Sequence, residues 1–129
     1  MGAPVILSMP ELTLPGVPES VRQFRALARE VSSTSGQAAA AALCVSELVT
    51  NSLLHSRSGL PGGQVTVTID TDPISGTIRI SVMDGGPRAS DSPANGYGLR
   101  VIAAVAMAWG VLPARSGRAC TWCEIGRAA

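Results

Sequence analysis

The segment SELVTNSLLHS, from Ser46 to Ser56, is an apolar run that contains an acid, an amide and an imidazole. These side chains belong to Glu47, Asn51 and His55, which follow one another at intervals of four residues. Because residues i and i+4 lie on the same face of an α-helix, the spacing predicts a helix with one polar row. Solubility does not require such a row, so it is a candidate for a functional site.

This segment forms the end of the second of three predicted helices. The helices are expected from about Pro18 to Val31, from about Gln37 to His55, and from Leu99 to Trp109. Each has apolar or alanine-rich spacing that suits a helix. We expect Ser35 to be the N-cap of the second helix and Gly110 to end the third in the left-handed conformation.

Two segments after the second helix alternate strictly between apolar and polar residues, as half-buried strands do. They are QVTVTID, Gln64 to Asp70, and TIRISVMD, Thr77 to Asp84, with the turn sequence DPISG between them. Further strands are predicted within Val5 to Leu14, where Pro10 restricts the strand to a sheet edge, and in GVLPA and ACTWCEI near the C-terminus.

The order of these elements predicts the α+β class. We expect a two-layer sandwich in which helices cover one face of a mixed, mostly antiparallel sheet, because alternation marks a sheet with one buried face. A chain of 129 residues fits a single domain, residues 1–129.

Composition and charge argue against several functional classes. The net charge of +1 lacks the basic footprint of a nucleic-acid-binding protein. Glu47, Asn51 and Arg100 interrupt the most apolar segments, so we expect no membrane span. The first ten residues, MGAPVILSMP, lack the basic start of a signal peptide, which favours a cytoplasmic protein.

The three cysteines are expected to be free thiols. Cys120 and Cys123 form a C-x-x-C sequence, but they lie in a predicted strand, where residues three apart point to opposite faces. Buried structural thiols, with Cys44 as the third, are therefore favoured over a metal-binding or redox pair.

The polar interruptions combine into one possible site. The amide oxygen of Asn51 can ligate Mg²⁺, and Glu47, one turn earlier, can accept a proton from an attacking hydroxyl or water. Asp84, at a strand end, can accept the hydrogen bond of adenine's exocyclic amine, and Gly86 lets the base approach the backbone. Together these functions describe an ATP–Mg²⁺ site.

A glycine-flanked segment, Gly96-Tyr97-Gly98, completes this site at the start of the third helix, where free N–H groups can bind phosphate. It ends a loop from Asp84 to Gly98 that is long for so small a domain, and such loops are usually functional. We expect a lid at about residues 85–98. Each feature also has a structural explanation: a solvated Glu47, an Asp84 that caps a turn, and ordinary turn glycines.

The order of the three motifs resembles the histidine-kinase-like ATPases of the gyrase, heat-shock chaperone, histidine kinase and mismatch-repair types. Their helix motif E-L-x-x-N-A-x-x-H is similar to Glu47 through His55, with Ser52 in place of the usual alanine. Their D-x-G-x-G box resembles Asp84-x-Gly86, with Pro87 next and Arg88 at the second glycine. Their G-x-G-L box resembles Gly96 to Leu99.

The small size, the short lid and the closing strand from Thr121 to Ile125 resemble one subgroup, the bacterial anti-sigma-factor serine kinases and related ATP-binding regulators. This resemblance implies ATP and Mg²⁺ as cofactors, and sigma-factor or anti-anti-sigma (antagonist) proteins as partners, with a possible homodimer. The implied site has Glu47 as the catalytic base, Asn51 as the metal ligand, and Asn51, Asp84, Gly86, Gly96, Gly98 and Leu99 as nucleotide-binding residues.

The implied activity is protein serine/threonine kinase activity toward an anti-anti-sigma partner. The alternative is a nucleotide-binding adaptor that binds a partner without transferring phosphate, and a plain ATPase is a third option. We interpret His55 as a structural residue at the end of its helix.

Overall fold

A computed structural model describes residues 10–88, 97–113 and 115–128. Over these ranges the chain forms three α-helices and five strands, with short 3₁₀ turns at Arg57–Gly59 and Arg115–Gly117. In chain order the elements are β1 (Glu11–Pro15), α1 (Ser20–Val31), α2 (Ser35–His55), β2 (Gln64–Thr71), β3 (Ile78–Asp84), α3 (Tyr97–Val105), β4 (Ala108–Pro113) and β5 (Ala119–Ile125).

The strands form one sheet in the order β1-β2-β3-β5-β4, and each of its described pairings is antiparallel. The turn between β2 and β3 is closed by Asp72, whose carboxylate accepts hydrogen bonds from the backbone N–H groups of Ile74 and Ser75. β1 lies at one edge of the sheet, as predicted, and begins directly after Pro10. Residues 5–9 of the predicted strand lie outside the described residues. The predicted α+β class is confirmed.

The hydrophobic core lies between one face of the sheet and the helices. The inward residues of β2 and β3 are fully buried, namely Val65, Val67, Ile69, Ile78, Ile80 and Val82. Burial of each such side chain contributes about 1.5–3 kcal/mol. The alternate residues of these strands, largely Thr, Ser and charged residues, form the open face. The strict alternation in the sequence therefore predicted correctly which face is buried.

Two predicted helix boundaries are wrong, one because of a local cap bond and the other because of a tertiary contact. The N-cap of α2 is Thr34, whose hydroxyl accepts from the backbone N–H of Gln37 at 3.0 Å, so Ser35 is already the first helical residue. The third helix begins at Tyr97 and ends at Val105, before Trp109. It ends there because the N–H of Met107 donates to the Glu124 carbonyl at 2.9 Å, and β4 then pairs with β5.

Gly110 has a different role from the predicted left-handed stop. It lies within β4 opposite Trp122, and a Cβ atom at Gly110 would lie 2.8 Å from the indole ring. The guanidinium of Arg79 is 4.1 Å from the centroid of this indole ring, a cation–π contact. Gly110 is therefore required for the close approach of the Trp122 ring.

The cysteines are free thiols, as predicted. Cys44 and Cys123 are buried in the core, whereas Cys120 is half-buried on the opposite side of β5. The pKa of Cys123 is raised above its usual range, mainly by a hydrogen bond with Cys44 and also by burial. Burial also raises the pKa of Cys120. Both thiols are therefore protonated at neutral pH.

Helix α2 is long and apolar enough, by length and composition alone, to be a candidate membrane span, with a mean hydropathy of 1.3. Of its most apolar window, 39% is buried inside the protein. A core helix of a soluble fold satisfies the same criterion, so the hydropathy of α2 is weak support for a membrane span.

A buried amide joins α2 to the turn between β2 and β3 and to the end of β5. The side chain of Gln37 is fully buried and donates to the carbonyl oxygens of Gly76 at 2.9 Å and Ile125 at 3.2 Å. Its own carbonyl accepts from the backbone N–H of Ser33 at 2.8 Å. Buried polar groups cost free energy when they lose their partners, so Gln37 stabilises both the α1–α2 connection and the sheet ends.

We expect Gln37→Leu to lower the free energy of unfolding by about 2–4 kcal/mol, since two backbone carbonyls in buried hydrogen bonds and the partly buried N–H of Ser33 lose their partner. Urea unfolding measures this change. Gln23→Leu is the matched control, because Gln23 is exposed on α1. Equal stabilities of the two variants would show that the buried amide contributes nothing.

Candidate functional site

The C-terminal half of α2 presents the predicted polar row beside its buried stripe. Glu47, Asn51 and His55 are all half-buried, whereas Leu48 and Ser52 on the adjacent side of the helix are buried inside the protein. Among the described residues, the side chains of Glu47 and Asn51 make no hydrogen bond, while the neighbouring Ser46 and Ser52 do. The side chains of Glu47 and Asn51 are thus free to bind a ligand.

Asp84 lies directly against this helix. It is the last residue of β3, and it follows the inward Val82 by two positions, so its side chain is on the helix-covered face. The Ser52 hydroxyl donates to one carboxylate oxygen, Oδ2, at 2.6 Å. The backbone N–H of Gly86 donates to the other, Oδ1, at 2.8 Å. Asp84 is therefore bonded to the residue of α2 that directly follows Asn51.

The loop after β3 is bonded to residues 56–58, which directly follow α2. The N–H of Arg57 donates to the Gly86 carbonyl at 2.9 Å, and Ser56 and Pro87 form an antiparallel bridge. The N–H of Gly85 donates to the Ser58 hydroxyl at 2.8 Å. The two predicted motifs are consequently joined in one rigid corner.

Gly86 is required by the loop's own backbone. Its φ is +81°, a conformation that favours glycine, and a Cβ atom would lie 2.0 Å from the carbonyl oxygen of Gly117. The side chain of Arg57 joins the same two segments, because it donates to the carbonyls of Gly85 and Gly117, each at 2.8 Å. The predicted role of Gly86 in admitting the adenine base stays a prediction.

Arg88, which stands where the family pattern has glycine, bonds to the C-terminal end of α2. Its Nε donates to the Ser56 carbonyl and its Nη2 to the Leu53 carbonyl, each at 3.0 Å. The last carbonyls of a helix lack helical partners, and a cation there also complements the helix dipole. Arg88 therefore anchors the loop to the helix that carries Asn51.

The described part of the third motif lies at the start of α3, which packs on α2. Gly98 and Leu99 lie in the first turn of this helix, where backbone N–H groups have no helical acceptor. α3 packs against α2, with Ile102 fully buried. Residues 89–96 of the predicted lid, which include Gly96, lie outside the described residues.

A cleft of about 790 Å³ lies on the open face of the sheet, beyond Asp84. Its lining combines Asp84 and Gly85 with polar strand residues such as Thr66 and Thr68, and it includes neither Glu47 nor Asn51. Glu47 and Asn51 lie on the helical layer instead, and Asp84 and Gly85 stand where the two surfaces meet.

The donor set suits a magnesium ion that is held mainly by a bound phosphate. Within the described ranges, no group of three or more His, Cys, Asp and Glu side chains could enclose a metal. Mg²⁺ does not need one, since it keeps several waters and commonly takes one or two protein oxygens together with substrate phosphates. The half-exposed amide of Asn51 fits that requirement.

Sequence reasoning missed two contributors to this site. Ser52 looked like a mild replacement of alanine, yet it bonds to the carboxylate of Asp84. Arg88 looked like a loss of a glycine, yet it joins the loop to α2. The sequence did carry a signal in each case: a polar or charged side chain stands where the family pattern has a small residue.

Comparison with known families agrees with the fold. The family described as "Histidine kinase-like ATPase domain" matches residues 13–118, which is most of the chain. No curated protein matches the chain.

We expect Arg88→Ala to lower the free energy of unfolding by about 1–2 kcal/mol, because two carbonyls at the end of α2 lose a charged donor. Arg100→Ala is the control, since Arg100 is exposed on α3. Urea unfolding of both variants measures the difference. A stability of Arg88→Ala equal to that of the control would mean that the contact with α2 is dispensable.

Proposed function

This chain belongs to the histidine kinase-like ATPase domain family, and we propose on that basis that it is an ATP-binding bacterial regulator. We propose further that it is an anti-sigma factor with protein serine/threonine kinase activity toward an anti-anti-sigma partner. The observation that carries the proposal is the hydrogen bond from Ser52 to Asp84, which joins the predicted adenine reader to the helix with Glu47 and Asn51.

Asp84 is the proposed reader of the base. An ionised carboxylate can only accept hydrogen bonds and has about four lone-pair positions. Two of these are used by Ser52 and Gly86, which leaves capacity for the exocyclic amine of adenine. A base with a carbonyl at that position would face the carboxylate with a second acceptor and be disfavoured.

Asn51 is the proposed magnesium ligand, and the first turn of α3 the proposed phosphate contact. Domains of this family bind ATP, typically with Mg²⁺. The ion would neutralise charge on the phosphates, and the Asn51 amide oxygen would fix its place on α2. Free N–H groups at Gly98 and Leu99 would orient the phosphates, together with Gly96 from the preceding segment.

Glu47 is the proposed general base. It lies four residues before Asn51, about 6 Å along the helix axis at 1.5 Å per residue. In the proposed reaction its carboxylate takes the proton of a serine hydroxyl on the partner. The serine oxygen then bonds to the γ-phosphorus, the bond from that phosphorus to the bridging oxygen breaks, and ADP leaves.

The proposed partners are a sigma factor, an anti-anti-sigma protein, or both, and a second copy of the chain is a further possible partner. The near-neutral charge of +1 supports regulation through proteins without direct contact to nucleic acid. The same proposal places the protein in the cytoplasm, where sigma factors act.

A second candidate is the adaptor, which binds nucleotide and partner but transfers no phosphate. Glu47 discriminates between the two functions. A kinase needs this carboxylate as a proton acceptor, whereas an adaptor needs only the nucleotide pocket. The free, half-exposed side chain of Glu47 supports the kinase, since no structural bond occupies it among the described residues.

We expect Glu47→Gln to reduce phosphate transfer by about 10²–10⁴-fold, because the amide has the same shape but accepts no proton. ATP affinity should stay at the wild-type value, since the proposed site assigns the base to Asp84 and the metal to Asn51. Transfer of labelled phosphate to a candidate antagonist protein, beside an ATP titration, measures both quantities. Glu30→Gln, at an exposed position of α1, is the control.

If Glu47→Gln transferred phosphate at the wild-type rate, Glu47 would not be the base. If the wild type transferred none but bound its partner only with nucleotide, the adaptor function would replace the kinase.

A further inference from the structure

The hydroxyl of Ser52 departs from the local pattern of its own helix. Serines inside helices commonly donate to the carbonyl four residues earlier, and Ser46 does so, to Ala42 at 2.7 Å. Ser32, at the end of α1, donates in the same way to Ala28 at 2.7 Å. Ser52 instead donates to Asp84, 32 residues away in the sequence. The preference for this partner requires an explanation beyond helix formation.

The bond from Ser52 is short and sheltered from solvent. A distance of 2.6 Å is typical of a hydroxyl that donates to an ionised carboxylate, which is among the stronger hydrogen bonds in proteins. Ser52 is 5% exposed, so water competes weakly for its hydroxyl. The bond therefore orders the carboxylate more than an exposed one would.

The two donors to Asp84 hold the carboxylate from different elements. The Gly86 N–H comes from the loop and the Ser52 hydroxyl from the helix, and each takes a different oxygen. The terminal torsion of an aspartate is broad, so a carboxylate with one donor would sample many orientations. With both donors its plane is fixed, and the remaining lone pairs have set directions.

We propose that Ser52 is a positioning residue for base recognition, which fixes the Asp84 carboxylate so that it accepts the exocyclic amine of adenine. This inference rests on the proposed role of Asp84 and extends it to nucleotide selectivity. An alanine at this position would leave Oδ2 without its helix donor. The Asp84 carboxylate would then become ordered only when the nucleotide binds, which costs free energy. The hydrogen bond to the amine would therefore add less to the affinity for ATP.

The test compares two nucleotides that differ only in the amine. ATP has the exocyclic amine, and purine riboside triphosphate has hydrogen in its place. Both are titrated with Mg²⁺ into the full chain by calorimetry. Wild-type protein should bind ATP at least about tenfold more tightly than the analogue, which corresponds to about 1.4 kcal/mol.

Ser52→Ala should weaken ATP binding by about tenfold and change binding of the analogue by less than about twofold. Ser52→Cys should behave likewise, since a thiol is nearly the same size but a weak donor. Ser46→Ala is the matched control, because it removes a hydroxyl from the same helix that bonds only locally. It should leave both affinities unchanged. Thermal unfolding confirms that each variant is folded.

Three results would overturn the inference. If Ser52→Ala and Ser52→Cys weakened both nucleotides equally, Ser52 would have a structural role alone. If neither affinity changed while Asp84→Asn abolished discrimination, Asp84 would read the base without help from Ser52. If the wild type failed to discriminate the two nucleotides, the role of Asp84 would itself be wrong, and the inference would fall with it.

Discussion

Helix α2 must bury one stripe against the centre of the sheet while it keeps the adjacent row half exposed. The rest of the molecule depends on this constraint. The buried stripe, which includes Val45, Leu48 and Val49, completes the core over β3 and β5. The adjoining row bears Glu47 and Asn51, so packing of the apolar stripe also fixes the direction in which these polar groups point. Fold stability and site geometry therefore arise from the same helix.

Polar bonds then hold the end of β3 against this helix. Ser52 bonds to Asp84, and Arg88 bonds to the last carbonyls of α2, so the loop between them cannot move away without leaving several groups unpaired. Gly86 allows the same loop to lie against the backbone carbonyl of Gly117. A site on such a corner is ordered before a ligand arrives, which reduces the entropy that binding must overcome.

Sequence patterns predicted the features that depend on local spacing. Alternation identified the buried face of β2 and β3, and the four-residue spacing identified the polar row of α2, because both follow from backbone geometry. The end of α3 was missed because the apolar pattern continues to Trp109, whereas the backbone changes course where Met107 bonds to Glu124. The roles of Ser52 and Arg88 were missed for a related reason, since their partners lie 32 to 35 residues away and no local pattern reveals them.

The claim that the corner between α2 and β3 is the nucleotide site can be tested most directly by nuclear magnetic resonance of the nitrogen-15-labelled chain during titration with ATP and Mg²⁺. The account predicts that the largest amide shifts occur at Ser52 and Gly86 and in the first turn of α3, with saturation. Thr66 and Thr68, which line the cleft on the open face, should stay unchanged. Shifts confined to that cleft, or no saturable shifts at all, would contradict the assignment of the site.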